Sequence, residues 1–455
     1  MKEEDPPKII PELNAKGERA RLFPVLADTS REGRSLSIFL SCLASIRELG
    51  QSLLSELGVR VGSRTQIETL TEVVFGSGGG GKKLRPDGLI FVRNGSRSWS
   101  AIVEAKIGKN ELSVDQIEAY LDIAKQNKID AVITISNQFA PLPSHHPISI
   151  GAISKRKANL FHWSWSYIMT EAQILYDNDE VEDSDQRFLL NEFRRFLTHE
   201  SAGVKSFDQM PSEWSDLVAT VQAGGGLGQT SDEVKSVIGA WHQESRDLSL
   251  VLSRQLQCAV KMRVSRAHRS DPVARAKSDA KELCAEKSLK LSLSVPDAAA
   301  PIDVVADIKM RSVSVGMRLK APSDKKTTKA RLNWLLRQLQ KAEDKEIHVR
   351  LFWPGRGPFT QFPLAVLRED PAVADEKPQV AVSSFEVLLV RDCGARFGQR
   401  KNFITDLEKL VPLFYSQAGQ YLREWQAPAP RLREDKSEPS DVGVKALYEE
   451  AEREG

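Results

Sequence analysis

The stretch from Arg85 to Tyr120 decides how this chain is interpreted. It contains three motifs, in the order Arg85-Pro86-Asp87-Gly88, Glu104-Ala105-Lys106 and Gln116-Ile117-Glu118-Ala119-Tyr120. Carboxylates bind hard cations, and a lysine stabilises negative charge that develops on a substrate. What these side chains can do together therefore depends on where the fold places them.

The residues around the first two motifs have the composition of β-strands. Residues 69–75, 88–92 and 98–107 are rich in β-branched and apolar side chains, which predicts three strands. The turn-forming pair Asn94-Gly95 predicts an antiparallel hairpin between the last two strands. The loop of this hairpin, up to Ser98, is expected to be longer than two residues.

The predicted hairpin brings two carboxylates together. Alternate residues of a strand share a face, so Glu104 and Lys106 are expected to point the same way. Asp87 stands at the start of the neighbouring strand, within reach of Glu104. Two close carboxylates repel each other unless a cation lies between them. Oxygen ligands without His or Cys favour Mg²⁺ or Mn²⁺, and a neighbouring lysine can neutralise charge or orient a water.

A helix and a further strand are predicted to follow. Residues 112–127 carry apolar side chains at helical spacing, with Ser113 as the candidate N-cap. Gln116 and Tyr120 are four residues apart and project from one helix face. Residues 130–136 form a predicted buried strand, parallel to the preceding strand after the helical crossover. Upstream, residues 35–57 predict one long amphipathic helix or two short ones.

This set of residues resembles the PD-(D/E)XK nuclease superfamily, in particular the RecB-like and lambda-exonuclease-like branches that carry Gln-x-x-x-Tyr. The resemblance covers roughly residues 25–140. It implies the restriction-endonuclease-like core, an αβββαβ mixed sheet flanked by helices. The element order expected from the local patterns is the same, so two independent arguments lead to an α/β fold.

The resemblance also implies a role for each residue. Asp87 and Glu104 would be metal ligands, and Lys106 would be the catalytic lysine. Gln116 and Tyr120 would lie near the metal site and the DNA backbone. These branches often place a further metal-binding acid on the first helix, for which Glu32 is the best candidate, with alternatives at Glu48, Glu56 and Glu72.

A second acid–x–lysine motif provides a control within the same chain. Asp297 is followed by Asp307-Ile308-Lys309, but neither the long amphipathic helix nor the Gln-x-x-x-Tyr pair comes next. A strand-like run over 312–319 follows instead. We therefore expect no site there.

The glycine-rich loop before Asp87 nearly matches a phosphate-binding P-loop, since Gly76 and Gly81 are followed by Lys82 and Lys83. It lacks the Ser or Thr that would reach Mg²⁺, and no helix follows it. We expect instead a mobile loop whose Lys82, Lys83 and Arg85 contact a phosphate backbone.

Histidines and cysteines suggest no further site. The seven histidines are scattered, and His162 lies in an aromatic run, 161–165, expected to be packed core. No metal-binding spacing is evident. The cysteines are far apart and are expected to be reduced thiols: Cys42, Cys258, Cys284 and Cys393.

Composition places the chain among ordinary globular proteins, with 41% hydrophobic and 28% charged residues. No apolar run approaches the length of a membrane span, and the N-terminus has no apolar signal region, so we expect a cytoplasmic protein without membrane contact. The net charge of +2 favours no partner class. Residues 251–350, however, hold 22 Lys and Arg against 11 Asp and Glu. They are either a polyanion-binding surface or ordinary surface charge.

Composition along the chain predicts two folded regions joined by glycines. The second region is expected to be a separate α+β domain of unknown kind. The expected segments are an arm at 1–24, a nuclease-like domain with appended helices at 25–222, a Gly-rich linker at 223–230, a helical segment with the α+β domain at 231–425, and a largely disordered tail at 426–455.

These features predict a Mg²⁺- or Mn²⁺-dependent nuclease that acts on DNA. By analogy alone, bacterial restriction, defence or repair would suit such an enzyme. A homodimer, or a partner protein bound through the C-terminal domain, is compatible with the sequence. Two other classes stay open: a catalytically inactive nuclease-fold protein that binds nucleic acid or acts as a scaffold, and a stress-associated regulator whose C-terminal domain holds the main function.

Overall fold

The computed structural model describes residues 8–24, 26, 30–75, 85–108, 110–140, 142–148, 150–151, 158–343, 346–375 and 379–427. In this part of the chain two seven-stranded sheets are surrounded by helices. The expected mixed α/β class is therefore confirmed. None of the described helices is both long and apolar enough to cross a bilayer.

The first sheet has its strands in chain order, from β1 to β7. Strands β1 to β5 are antiparallel neighbours, while β5, β6 and β7 run parallel. The elements are β1 (Lys8–Ile10), β2 (Ala15–Arg19), α1 (Arg31–Ser45), α2 (Arg47–Ser55), β3 (Gln66–Phe75), β4 (Gly88–Asn94), β5 (Arg97–Ala105), α3 (Val114–Gln126), β6 (Ala131–Ser136), β7 (Asn159–Ser164), α4 (Trp165–Asp177) and α5 (Ser184–Thr198).

The elements predicted around the three motifs are present; the length of the hairpin loop is corrected, and of the two alternatives for residues 35–57 the structure shows two helices. The β4–β5 hairpin pairs Asn94 with Arg97, so its turn has two residues and is shorter than expected. Gly95 adopts a φ of 62°, which suits this tight turn. Upstream, the apolar stretch forms two helices because the backbone becomes extended at Ile46.

Part of the segment that was expected to be an N-terminal arm belongs to the first sheet. Of residues 1–24, the first seven lie outside the described residues, but β1 and β2 pair with each other and β2 pairs with β3. These short strands extend the sheet at the edge. Ile10 and Ala15 are fully buried in the core below α3, which explains why the segment is held there.

Helices cover both faces of the first sheet. On one face, α1, α4 and α5 pack on strand residues such as Val103 and Ile133. On the other face, α3 packs on residues such as Ile102 and Val132. The aromatic run at the end of β7 is packed core as expected, since Trp163 and Trp165 are buried.

The second sheet is antiparallel throughout, in the order β13-β12-β14-β11-β10-β9-β8. This part of the chain comprises α6 (Glu213–Gln222), α7 (Asp232–Leu256), β8 (Lys261–Met262), α8 (Arg266–Ser270), α9 (Pro272–Glu286), β9 (Ser288–Ser294), β10 (Ile302–Asp307), β11 (Ser312–Lys320), α10 (Thr328–Gln338), β12 (Ile347–Phe352), β13 (Thr360–Pro363), α11 (Leu364–Glu369), β14 (Ser384–Asp392) and α12 (Arg400–Gln417).

Helix α7 ties the two sheets together, whereas α6 packs on the second sheet. We expected α6 to pack on the first sheet, but Trp214 and Leu217 belong to the hydrophobic core of the second. The sequence shows that α6 has an apolar face, but not which core this face meets. Helix α7 contributes Val237 to the second core and Leu250 to the first. The glycines after Gln222 therefore do not separate two independent cores.

Candidate active site

The β4–β5 hairpin sets the position of the two central carboxylates. Asp87 immediately precedes β4, and Glu104 lies near the end of β5. Gly88 pairs with Val103, so the two strand ends lie side by side. The Ala105 N–H donates a 3.0 Å hydrogen bond to Asp87 Oδ2, which fixes that carboxyl group against Glu104.

The two carboxyl groups share a buried, electrostatically costly position. Glu104 is only 1% exposed. Burial and the charge of Glu104 together raise the pKa of Asp87 to about 7. Glu104 Oε1 accepts hydrogen bonds from Lys106 Nζ at 2.6 Å and from Gln116 Nε2 at 2.7 Å. Glu104 Oε2, by contrast, is buried with no amide or ammonium donor among the described residues, and the Asp87 carboxyl group lies within hydrogen-bonding reach of Glu104.

Lys106 follows the last residue of β5 and is held by its backbone. Its N–H donates to Ile135 O at 2.8 Å, and its carbonyl accepts the Trp165 Nε1–H at 2.9 Å. Burial alone would lower the pKa of the ammonium group, but the hydrogen bond to Glu104 and the nearby carboxylates raise it. Lys106 is therefore a fixed cation beside Glu104.

Helix α3 supplies the predicted Gln and Tyr pair. Gln116 Nε2 donates to Glu104 Oε1 and also to Tyr120 Oη, at 3.0 Å. The Tyr120 hydroxyl in turn donates to the Arg85 carbonyl at 3.4 Å. Burial and the charge of Glu104 raise the pKa of Tyr120, so this hydroxyl stays protonated. The pair links α3 to Glu104 and to the segment before Asp87.

The acid expected on the first helix is brought next to Lys106. Glu32, in the first turn of α1, has Oε2 at 3.8 Å from Lys106 Nζ. Its Oε1 accepts from the Ile107 N–H at 3.3 Å and from Asn110 Nδ2 at 2.6 Å. A cleft of about 320 Å³ opens here, lined by Ser30, Arg31, Glu32, Ile107, Gly108, Asn110 and Gly203.

The alternatives to Glu32 have other partners. Glu48 forms an ion pair with Arg47, Glu56 lies beside Tyr167 and Glu171, and Glu72 lies 3.9 Å from Arg85. Arg85 itself is exposed at the rim of the site. Lys82 and Lys83 lie outside the described residues. We expected Lys82, Lys83 and Arg85 to contact phosphate, and of these three residues the structure describes only Arg85.

The donor set suits a hard divalent cation at two carboxylates. Among the described residues, no three or more His, Cys, Asp or Glu side chains are grouped closely enough to hold a metal ion. Asp87, Glu104 and Glu32 therefore do not form one cluster, since Lys106 lies between Glu104 and Glu32. The buried Glu104 Oε2 beside Asp87 nevertheless fits Mg²⁺ or Mn²⁺, which accept few protein ligands and keep several waters.

A polar row next to Glu104 was not predicted. In the parallel sheet Thr134 pairs with Glu104 on one side and with His162 on the other, so all three share a face. Thr134 Oγ1 lies 2.8 Å from both His162 Nδ1 and His146 Nε2. Burial, with the neighbouring His146, lowers the pKa of His162 to about 3, so it is neutral. The strand register that aligns this row cannot be derived from the spacing of single residues.

The second acid–x–lysine motif forms a turn. Asp307 Oδ1 accepts the Met310 N–H at 2.9 Å, between β10 and β11. Asp297 adopts a φ of 56° after β9. The strands on either side of this turn, β10 and β11, pair directly with each other, with Asp307 opposite Ser312.

Comparisons with known proteins add no name to this geometry. No protein-family model matches the chain, and neither a curated protein nor a solved structure matches it.

Proposed function

We propose that this protein is a Mg²⁺- or Mn²⁺-dependent nuclease that hydrolyses phosphodiester bonds in DNA. The observation that carries this proposal is the group of Asp87, Glu104 and Lys106, in which Glu104 is buried and its Oε2 has no amide or ammonium donor among the described residues. Such a pair of carboxylates is electrostatically unfavourable without a cation. Its cost is most simply explained by a cation-dependent function.

Each residue has a distinct part in this proposal. Asp87 and Glu104 would hold the metal ion, which when bound supplies an activated water and polarises the phosphate. Lys106, fixed by its backbone contacts, stabilises negative charge that develops on the phosphoryl oxygens. Gln116 keeps Glu104 Oε1 in place, so that Oε2 stays directed to the metal position.

The surroundings suggest how a nucleic-acid strand reaches the site. Arg85 is exposed at the rim and bears a charge that suits a phosphate. The cleft beside Glu32 adjoins Lys106 and is lined by Arg31 and Asn110. A backbone that crosses Arg85 and enters this cleft would pass Lys106 on its way.

One observation favours a second candidate, a nuclease-fold protein that binds nucleic acid without cutting it. The described residues offer no group of three metal-binding side chains, and Glu104 is already paired with Lys106. A site of this kind, with the metal function lost, would serve as a scaffold. The two candidates differ in whether divalent cations bind at Glu104.

The decisive experiment is cleavage of supercoiled and linear DNA with Mg²⁺ or Mn²⁺. We expect Glu104→Gln and Lys106→Met to lower the rate by about 100-fold or more, since each removes charge needed in the transition state. The double variant Asp307→Asn/Lys309→Gln is the matched control. It changes the second acid–x–lysine motif, which forms the turn between β10 and β11. It should cut at the wild-type rate.

The nicked or linear product distinguishes endonuclease from exonuclease action. If folded wild-type protein cuts neither DNA, calorimetry of Mn²⁺ binding to wild type and Glu104→Gln decides between the candidates. Absence of Glu104-dependent binding would overturn the nuclease proposal and leave the scaffold.

A further inference from the structure

The second sheet has one face that is not turned towards its helices. Strand residues such as Val304, Val315 and Val387 join α6, α7 and α12 in one core. The alternate residues point to the opposite face and are mostly exposed or partly exposed, apart from four buried positions, Ser288, Gly316, Ser384 and Leu388. One face of an antiparallel sheet can remain solvated in this way.

Aromatic and arginine side chains meet at one corner of this face. Phe352 ends β12 and Phe359 precedes β13, with ring centroids 5.6 Å apart. The Arg318 guanidinium carbon lies 3.7 Å from the Phe352 ring centre, and that of Arg350 lies 4.8 Å from the Phe359 ring centre. We call these four residues the Arg–Phe patch. Phe359 is 46% exposed, which leaves ring surface for a further planar group.

Hydrogen bonds hold the patch in place across four neighbouring strands. Arg318 Nη2 donates to Ser384 Oγ at 3.1 Å. Arg350 Nε donates to Gln361 Oε1 at 2.8 Å, and its Nη1 donates to Glu386 Oε2 at 3.2 Å. The arginines are therefore oriented before any ligand arrives, which lowers the entropy cost of binding.

The charge around the patch is strongly positive. Lys320 ends β11, and the connections that leave this corner of the sheet carry further cations. Residues 318–326, 350–359 and 384–386 hold six cations against two carboxylates, Asp324 and Glu386, and Asp303 on β10 adds a third acid next to Gly316; the cations are Arg318, Lys320, Lys325, Lys326, Arg350 and Arg356. Asp324 faces its neighbour Lys325 at 3.7 Å. The excess of positive charge complements a polyanion.

We propose that the Arg–Phe patch binds single-stranded nucleic acid. Bases stack on Phe359 and on the Arg318–Phe352 pair, while Arg350, Lys320 and the loop lysines neutralise phosphates. A duplex keeps its bases stacked inside, so it cannot use the rings in this way. Some of the surplus Lys and Arg residues of 251–350 lie in or beside the patch. Others, such as Arg254 and Arg275, are largely buried.

The test is fluorescence anisotropy of a labelled single-stranded DNA oligonucleotide and of its duplex, with the full chain in EDTA. Phe359→Leu keeps an apolar side chain but removes the stacking ring. It should weaken single-strand binding about five- to tenfold and leave duplex binding unchanged. The control Phe188→Leu removes a ring that is 64% exposed on α5 and should have no effect.

Salt dependence tests the charges separately. Lys320→Gln/Lys326→Gln removes two of the proposed phosphate contacts, and the slope of log affinity against log salt should fall by about 1.4 in magnitude. Lys309→Gln, an exposed lysine at the opposite end of the sheet, should leave the slope unchanged.

The proposal is independent of cleavage, because binding is measured without divalent metal and should persist in Glu104→Gln. Three results would overturn it: no binding of either oligonucleotide by folded wild type, single-strand binding that Phe359→Leu leaves intact, or tighter binding of the duplex. The first of these would point to a protein partner for this face.

Discussion

The two oxygens of the Glu104 carboxylate have different surroundings. Oε1 accepts from Lys106 and Gln116, whereas Oε2 is buried with no amide or ammonium donor among the described residues. A buried acceptor without a hydrogen bond costs about 1–3 kcal/mol. The same part of the first sheet contains Asp87, whose pKa is raised to about 7. Both features occur where the ends of β4 and β5 bring the two carboxyl groups together.

Asp87 gives a prediction for stability against pH. The pKa of Asp87 is about 7 in the folded chain against an ordinary 3.8, so the folded chain holds this proton more tightly than the unfolded chain. Stability without divalent cations should therefore fall as the pH rises from about 4 to about 7. Asp87→Asn should remove this loss and be more stable than wild type at pH 8, by on the order of 2 kcal/mol. Thermal unfolding at a series of pH values measures it.

Manganese serves as the control for this effect. At pH 8, Mn²⁺ should raise the melting temperature of wild type, since it neutralises the pair, and should raise that of Asp87→Asn much less. Equal pH profiles of the two proteins in EDTA would contradict the assignment.

At the scale of elements, helix α4 reaches back into the site. Trp165 lies at its first residue and donates its indole N–H to the Lys106 carbonyl. Trp163, at the end of β7, is equally buried, but its Nε1 has no acceptor among the described residues. Both rings pack edge-on against Phe39. Two similar side chains thus differ in one hydrogen bond.

This difference makes a matched pair of variants. Trp165→Phe should lower the free energy of unfolding by about 1–2 kcal/mol more than Trp163→Phe, because it leaves the buried Lys106 carbonyl without that donor. Trp165→Phe should also reduce metal-dependent cleavage, since Lys106 loses an anchor. Chemical denaturation and the cleavage assay measure the two effects. Equal losses in both variants would show that only ring size matters.

An element can be predicted from the sequence when its own residues determine it, and not when it depends on residues far away in the chain. Strands β3 to β6 and helix α3 were predicted because each has an apolar pattern of its own. Strands β1 and β2 were not, because they are short and hold their place through Ile10 and Ala15 in a distant core. The site residues from Asp87 to Tyr120 follow from motif order. Their neighbour Thr134 depends on strand register, which no local pattern encodes.

At the scale of the whole molecule, α7 joins the two sheets into one structure. Asp247 on α7 accepts a 2.6 Å hydrogen bond from the Phe207 N–H, and Arg254 donates to Thr170 on α4, also at 2.6 Å. Leu250 lies between them in the first core. Polar and apolar contacts therefore hold α7 against the first sheet.

A truncation after Gln222 should consequently fail. It removes Leu250 from the first core and exposes the Trp214 face of α6. We expect this fragment to aggregate or to lack a cooperative melt by circular dichroism, whereas a chain that ends at Ala427 should unfold in one transition like wild type. A monomeric fragment 1–222 with a cooperative melt would show that the first sheet folds alone.

The position of Leu250 also bears on how the protein is made. Domains usually fold in order as they leave the ribosome. Here the first core stays open until α7 has emerged, far beyond the glycines at 223–230. On a stalled nascent chain that ends before Leu250, the carboxylates of Asp87 and Glu104 would lie in an incomplete structure. Since Leu250 lies past the midpoint of the 455 residues, we expect the first core to be completed only after more than half of the chain has been translated.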